Sequence, residues 1–435
     1  VTDRDHLRRA GRPALRRLLG PTSPETFATQ IWGRTLHLSS AADRGGDRFE
    51  DLFSLDAVDE LVSDRGLRTP FLRVARDGAT LPDRAFTSGG GIGAAIADQV
   101  SDDKLLQLFA DGATIVLQGL HRTWGPVREF SAALSADLGH PVQVNGYVTP
   151  PQNQGFSDHY DVHDVFVLQV HGEKRWSLRE PVLPHPLRDQ PWGDRQDEVA
   201  RRAGEEAYLE TTLRPGDCLY LPRGWIHAAR ALGGVSTHLT IGVHAWTRHH
   251  LAESLLRRAG TALSGHDAVR ESLPLGVDLT DPAGAADDVE LAREALLRVI
   301  RELPAEEVVR ELRGRERAAQ RPAPVPPLAQ LAAADALGTD TTVRLRPHLM
   351  ADLLPAPDGT VVVSSRAGRF SLPSAARPAV ELLLREGSAR VTDLTAAAGL
   401  DEQAGLELAR TLLRRGLAMP GSRAADGVGD TGGHG

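Results

Sequence analysis

The sequence predicts an α+β chain built round a double-stranded β-helix, and three observations predict it. From 144 to about 244, short β-rich runs alternate with Gly and Pro, as in a barrel of antiparallel strands. Inside that region His159-Tyr-Asp161 leads to an apolar run at 165–170, and Gly216-Asp-Cys-Leu-Tyr-Leu-Pro-Arg-Gly-Trp-Ile-His227 repeats a strand, turn and His design. On both sides of it the apolar spacing changes from strand-like to helical.

Residues up to about 71 alternate short helical stretches with loops, and Thr26-Phe-Ala-Thr-Gln-Ile-Trp-Gly-Arg-Thr-Leu-His-Leu38 reads as a docking segment leading into the core. Residues 105–117 carry apolar pairs, and 127–138 have the spacing of a helix that covers a sheet. The run Ser88-Gly-Gly-Gly-Ile-Gly93 lacks the Gly-Lys-Ser/Thr of a phosphate-binding loop and a preceding apolar strand, so it reads as a plain loop. The stretch 181–203, rich in Pro, Asp and Arg, reads as an insertion loop between strands, placed to gate the barrel mouth. After Trp246 the pattern is helical, with Leu251, Leu255, Leu256, Ala259 and Leu263 on one face, followed by apolar runs at 289–303 and 308–312.

Arg321-Pro-Ala-Pro-Val-Pro-Pro327 is a stiff linker and marks a boundary. Beyond it, strands at 342–346 and 359–364 and helices at 375–384, 391–399 and 402–415 resemble a winged helix. The expected organisation is a catalytic barrel with an N-terminal extension over 1–245, a helical region over 246–320, a winged-helix-like domain over 328–420 and a disordered tail over 421–435.

The chemistry is concentrated in the barrel. In extended chain, side chains two apart point the same way, so His159 and Asp161 reach one site together. His227, closing its strand and Pro-Arg-Gly turn, is the natural third ligand. Two His and a carboxylate form the facial triad of non-haem Fe(II) oxygenases, although zinc accepts the same donors. Lys174, after the apolar run 165–170, is placed to anchor the far carboxylate of a 2-oxoglutarate chelating the metal. His163, His171 and His185 have no comparable context and read as surface or supporting residues.

Composition fits an ordinary globular protein. The 435 residues are 41% hydrophobic, enough for a sizeable core in two or three domains. No apolar run approaches a membrane span, and the opening Val-Thr-Asp-Arg-Asp-His-Leu-Arg-Arg lacks the apolar core of a signal peptide; a cytoplasmic location is expected. The single Cys218 cannot form an internal disulfide and reads as a strand residue. A net charge of −8 argues against broad nucleic-acid binding.

These residues resemble the JmjC-type oxygenases of the cupin-4 group, the ribosomal oxygenases that hydroxylate Arg or His side chains of ribosomal proteins. The likeness runs through Val144-Asn-Gly-Tyr-Val-Thr-Pro-Pro151, Gln154-Gly155, His159-Tyr-Asp161, Asp164-Val-Phe-Val-Leu-Gln169, Gly172-Glu-Lys-Arg-Trp176, Leu221-Pro-Arg-Gly-Trp-Ile-His227 and Ser236-Thr-His-Leu-Thr-Ile241. It implies Fe(II) held by His159, Asp161 and His227, with 2-oxoglutarate and O₂ as co-substrates. Lys174 would pair with the co-substrate's far carboxylate, and Thr149 would add a hydroxyl to the same group. Asn145 and Tyr147 fall where the family lines its substrate pocket, and a homodimer formed through the region after the barrel is implied. Where many ribosomal members are expected to carry Ser, this chain has Gly242, which opens the alternative of a biosynthetic peptide or small metabolite as substrate. A further alternative is a metal-dependent, ligand-sensing regulator that binds DNA through its C-terminal domain. Against DNA, the helix with Arg410, Arg414 and Arg415 also carries Glu402 and Glu407, and the family's terminal domain suggests protein contact.

Overall fold

The computed structural model describes residues 12–421 except 77, 152, 154 and 155. The opening residues, Gln154-Gly155 and the tail beyond Gly421 lie outside the described residues. The chain divides into two compact units, Val1–Ala245 and Trp246–Gly435.

In the first unit the strands are β1 (His37–Ser39), β2 (Leu72–Arg76), β3 (Ala79–Thr80), the small pair β4 (Thr87–Ser88) and β5 (Gln99–Val100), then β6 (Thr114–Leu117), β7 (Val142–Thr149), β8 (Asp164–Arg179), β9 (Leu209–Leu213), β10 (Cys218–Leu221) and β11 (Ile226–Val243). Nine of them form one antiparallel sheet in the order β1-β10-β8-β11-β7-β6-β2-β3, with β9 on β8. The centre is the long pair β8–β11. Ile226 to Leu232 register against Arg179 to Glu173, and after a bulge His238 to Val243 register against Gln169 to Asp164. At that bulge Gly172 has φ 63° and a side chain there would collide with the Val235 carbonyl, so only glycine fits.

Strand alternation sorts the two faces. Val142, Val144 and Val148 of β7, with Phe166, Leu168 and Val170 of β8 and Leu239, Ile241 and Val243 of β11, enter one buried core under the helical layer. Each such side chain contributes about 1.5–3 kcal/mol by leaving water. The intervening residues Gln143, Asn145, Tyr147 and Thr149 pair with Gly242, Thr240, His238 and Ser236. They share the opposite face, which the sequence has kept polar.

Helix Gly125–Leu138 packs its buried Val127 and Leu134 onto the sheet and is closed by Gly139 at φ 74°. The segment expected as an insertion loop between strands at 181–203 does lie between β8 and β9, and it contains a turn at Trp192–Arg195 and the helix Gln196–Ala203. Its acidic first turn (Asp197, Glu198) and basic last turn (Arg201, Arg202) oppose the helix dipole, and Val199 packs with buried Tyr160 and Ile226. These short-range signals were masked by the Pro- and Asp-rich residues before them.

The second unit holds helices Arg248–Leu263, Ala286–Glu302 and Ala305–Ala319, then a cluster of Pro327–Asp335, Arg377–Glu386, Val391–Ala398 and Glu402–Arg414 with two three-stranded sheets. Val343, Val363, Val380, Leu383, Leu394 and Leu412 make its core. Of the apolar stripe expected on the first helix, Ala259 is buried whereas Leu256 is 57% exposed. Among the described residues no helix is long and apolar enough to cross a membrane.

Candidate metal centre

His159, Asp161 and His227 converge: one ligand atom from each lies within 4.8 Å of the others. The route differs from the expected strand. Regular pairing of β8 starts at Asp164, and His159 is held instead by an isolated bridge to His227. There the His159 amide donates to the His227 carbonyl at 3.2 Å, and the His227 amide donates back at 2.8 Å. The Gly224 amide donates to the Asp161 carbonyl at 2.9 Å, tying the turn before His227 to the same segment.

Both imidazoles are oriented by backbone. Nδ1 of His159 lies 2.7 Å from the Ser157 carbonyl, and Nδ1 of His227 lies 3.0 Å from the Trp225 carbonyl. The proton belongs on Nδ1 in each ring, which leaves the Nε2 lone pair free for a metal. Nε2 of His227 is 3.8 Å from Asp161 Oδ2. Burial and the His159 ring push His227 down to about 4, so it is neutral. Burial alone would raise the Asp161 carboxyl, but the surrounding His163, His227, His159 and Arg73 outweigh it and hold the group low. Two imidazole nitrogens with an ionised carboxylate suit a divalent first-row metal with open positions.

Lys174, on β8, is 3% exposed. Its ammonium donates to Thr149 Oγ1 at 3.2 Å, and Thr149 in turn meets Thr114 Oγ1 at 3.3 Å. No carboxylate among the described residues pairs with Lys174. Burial pushes the ammonium down to about 7, because a cation without a counter-ion is costly in low dielectric. A cavity of about 250 Å³ is lined by Lys174 together with His159, Asp161 and His227. Trp176 Nε1 and His238 Nδ1, on residues lining the same cavity, are buried without a hydrogen-bond partner among the described residues. The arrangement fits a small anion reaching from the metal ligands to the ammonium.

Asn145 and Tyr147 line an adjoining groove of about 510 Å³ that shares Arg73, Tyr147, Asp161 and Thr240 with the first cavity. The Asn145 amide oxygen accepts from the Gly119 amide at 3.1 Å. Tyr147 stacks on His238, centroids 4.9 Å apart and planes 4° from parallel.

Four residues of this surface were not read as site residues in the sequence. Arg73 lies across the sheet from Val116, which pairs with Tyr147, and its charge sits over Phe156 at 5.3 Å. His238 and Trp176 alternate inward on strands already recognised, so strand parity was the available signal. His163, read as surface or supporting, is half-buried, lines the groove and stacks on His244 at 5.2 Å. It also accounts for Gly242: a Cβ there would lie 2.5 Å from the His163 ring.

The JmjC domain profile matches residues 128–251. The chain is 29% identical over 303 residues to Ribosomal oxygenase 1 of Homo sapiens, covering 66% of this chain and 43% of that protein. It is 27% identical over 277 residues to the Bifunctional lysine-specific demethylase and histidyl-hydroxylase NO66 of Drosophila mojavensis, covering 61% of this chain and 29% of that one. The chain thus spans less than half the length of these curated relatives. Among solved structures, Escherichia coli YcfD superposes with a TM-score of 0.55 at 18% identity, covering 92% of this chain and 98% of that one. A second structure, of the ribosomal oxygenase YcfD in complex with cobalt and 2-oxoglutarate, gives 0.52 at 18% identity over the same shares. The fold is JmjC/cupin-type, residues 128–251 match the JmjC domain, and ribosomal oxygenases are among the chain's relatives.

Proposed function

We propose that this chain is an Fe(II)- and 2-oxoglutarate-dependent oxygenase that hydroxylates a side chain of a protein or peptide, a ribosomal protein foremost. The observation that carries the reading is the pairing, in one cavity, of the His159, Asp161 and His227 ligand set with a buried Lys174 that has no acid partner among the described residues. His159 and His227 would hold the iron through Nε2, and Asp161 through its carboxylate. Lys174, with Thr149, would take the far carboxylate of 2-oxoglutarate. When bound, iron and 2-oxoglutarate supply O₂ activation coupled to loss of CO₂ and formation of succinate, with one oxygen atom delivered to a substrate C–H bond. The protein's share is placement: Tyr147, Asn145 and the groove hold the target, and Phe156, Trp176 and Trp192 wall the cavity against water.

Gly242 gives no reason to prefer a small metabolite, because the His163 ring occupies the space that a side chain would take. For the rest of the chain, we propose that residues 246–320 form a dimer contact, supported by Leu256, Val289, Leu291, Leu297 and Val309, all more than 40% exposed. Residues 328–420 are proposed as a winged-helix-like domain for protein contact rather than DNA. In support, Arg410 pairs with Glu407 at 3.6 Å, Arg414 with Asp335 at 3.2 Å, and Arg415 lies over Phe370 at 5.9 Å.

The test is succinate formation from 2-oxoglutarate by Fe(II)-loaded protein, with ribosomal proteins and short peptides added in turn. Stimulation by one of them, with a gain of one oxygen atom in its mass, is expected. Failure of the wild-type protein to bind 2-oxoglutarate would end the oxygenase reading and leave the regulator.

A further inference from the structure

On the helical side of the sheet, away from the metal ligands, a cleft of about 410 Å³ lies open between two helical segments. Side chains alternate across a strand, so Val148 of β7 faces this cleft while its neighbour Tyr147 faces the metal cavity. Ile115 of β6, paired with Val148, completes the floor. One wall is the helix Leu55–Asp59 continued by the π turn Glu60–Asp64, which presents Val58 and Val62; the other is the helix Asp102–Ala110, which presents Leu105 and Phe109. A π turn is rare and is found mostly where it serves a function. Leu106, at the lip, is 70% exposed. A lone exposed leucine is ordinary on a protein surface, but this one continues an apolar lining that runs down into the core.

The rim is acidic. Asp59, Asp102 and Asp103 stand exposed round the opening, and among the described residues no Lys or Arg pairs with them. Asp102 and Asp103 suit the first turn of their helix. Asp59 does not, because with Glu60 and Asp64 of the π turn it sits toward the C-terminal end of its segment, where the helix dipole favours cations. Helix stability therefore gives no account of that wall's acids. Lys104, the one basic residue of the other wall, donates to the Thr87 carbonyl at 2.6 Å and does not line the cleft, and Arg65 is taken up by Glu60.

We infer that this cleft docks an amphipathic, basic segment of a partner protein, with one or two apolar side chains seated between the helices and Lys or Arg set against Asp59, Asp102 and Asp103. Apolar anchors flanked by cations satisfy floor and rim together. An anionic lipid surface or a nucleic acid would meet the rim with like charge. A second copy docking by the same face would set the carboxylates of one protomer against those of its partner. Since the cleft and the metal ligands lie on opposite faces of β7, docking leaves the metal cavity free, and the inference stands apart from the oxygenase reading.

The experiment uses the full chain and three pools of short fluorescein-labelled peptides. The first has a helical stripe of Leu or Phe with Lys and Arg elsewhere, the second has Glu in place of the bases, and the third keeps the bases but replaces the stripe by Ser. Anisotropy reads affinity, and hydrogen exchange reads where the peptide sits. The first pool should bind about tenfold or more tighter than either control and slow exchange over 55–64 and 102–110. Leu106→Ser should weaken that binding about tenfold, the share of one half-buried apolar anchor. The triple variant Asp59→Lys, Asp102→Lys, Asp103→Lys should prefer the Glu pool to the basic one. Both variants change exposed residues and should keep nearly the wild-type thermal transition, which separates lost docking from lost folding. Equal binding of the basic and Glu pools, affinity unmoved by Leu106→Ser, protection outside those two segments, or no binding of the first pool would each overturn the inference. A drop in molar mass in light scattering on Leu106→Ser would also overturn it, since the cleft would then be covered by a second copy.

Discussion

Lys174→Met should loosen 2-oxoglutarate binding by roughly 150-fold while making the ligand-free protein more stable. Lys174 is 3% exposed, and among the described residues its ammonium donates only to the Thr149 hydroxyl, at 3.2 Å. Removing one member of a desolvated charge pair costs about 2–5 kcal/mol; a middle value of about 3 kcal/mol corresponds to roughly 150-fold in Kd. Without the co-substrate the same ammonium is an unpaired buried charge, so an apolar side chain of similar length should stabilise by about 1–4 kcal/mol, seen as a Tm higher by several degrees. The pH dependence follows from the depression of the group from 10.5 to about 7. Between those values the unfolded chain holds a proton that the folded chain has lost, so the Lys174 contribution to ligand-free stability rises as pH climbs from about 7 toward 10.5 and is flat below. A carboxylate arriving beside Lys174 restores the ammonium, so binding above pH 7 takes up a proton and weakens as pH rises. Calorimetric titration with Mn(II) in place of Fe(II), in buffers of different ionisation enthalpy, reads affinity and proton uptake together. A Kd change under threefold, or a fall in Tm with unchanged proton uptake, would refute this account of Lys174.

Asp161→Ala should abolish turnover and weaken metal binding, measured by succinate release and by metal retention after gel filtration; sustained activity would be incompatible with the ligand set. Gly242→Ser forces the hydroxymethyl group against the His163 ring, which a Cβ alone approaches to 2.5 Å. It should destabilise by about 1–3 kcal/mol, and the double variant with His163→Ala should recover most of that loss in thermal denaturation. Gly405→Ala should destabilise the second unit by a similar amount of about 1–3 kcal/mol, because the added methyl meets the Thr395 side chain where helices Val391–Ala398 and Glu402–Arg414 cross; chemical denaturation of the full chain followed by hydrogen exchange locates the loss. Truncating Leu256 and Leu297 to Ser should shift the chain toward monomer in light scattering if the exposed helix faces meet a second copy.

Features of the site that depend on strand parity were legible in the sequence. Asn145, Tyr147 and Thr149 share a face because they are two apart on β7, where they register with Thr240, His238 and Ser236. The ligands were legible for another reason, since their residue types are chemically restrictive. Less accessible were contacts between segments far apart in the chain. Arg73 reaches the groove from β2 only because that strand pairs with β6 and β6 with β7. His163 appeared ordinary until the backbone of Gly242 was placed against its ring. The helix Gln196–Ala203 was hidden by its neighbours' composition, and its anchor, Val199, packs on Tyr160 and Ile226 from other segments.

Lys174, Trp176 and His227 all hang from the single antiparallel ribbon β8–β11, where His227 faces Leu178 and Lys174 faces Ala231. The ligand and the anchor are therefore separated by a counted number of residues: four steps of strand, about 13 Å of backbone. A one-residue slip would turn Lys174 outward and bring Arg175 in, and a two-residue slip would keep the faces but move the anchor by about 7 Å. The ribbon is a ruler that side-chain motion cannot rescale. A dicarboxylate one carbon shorter or longer than 2-oxoglutarate would have to give up either its grip on the metal or its grip on Lys174.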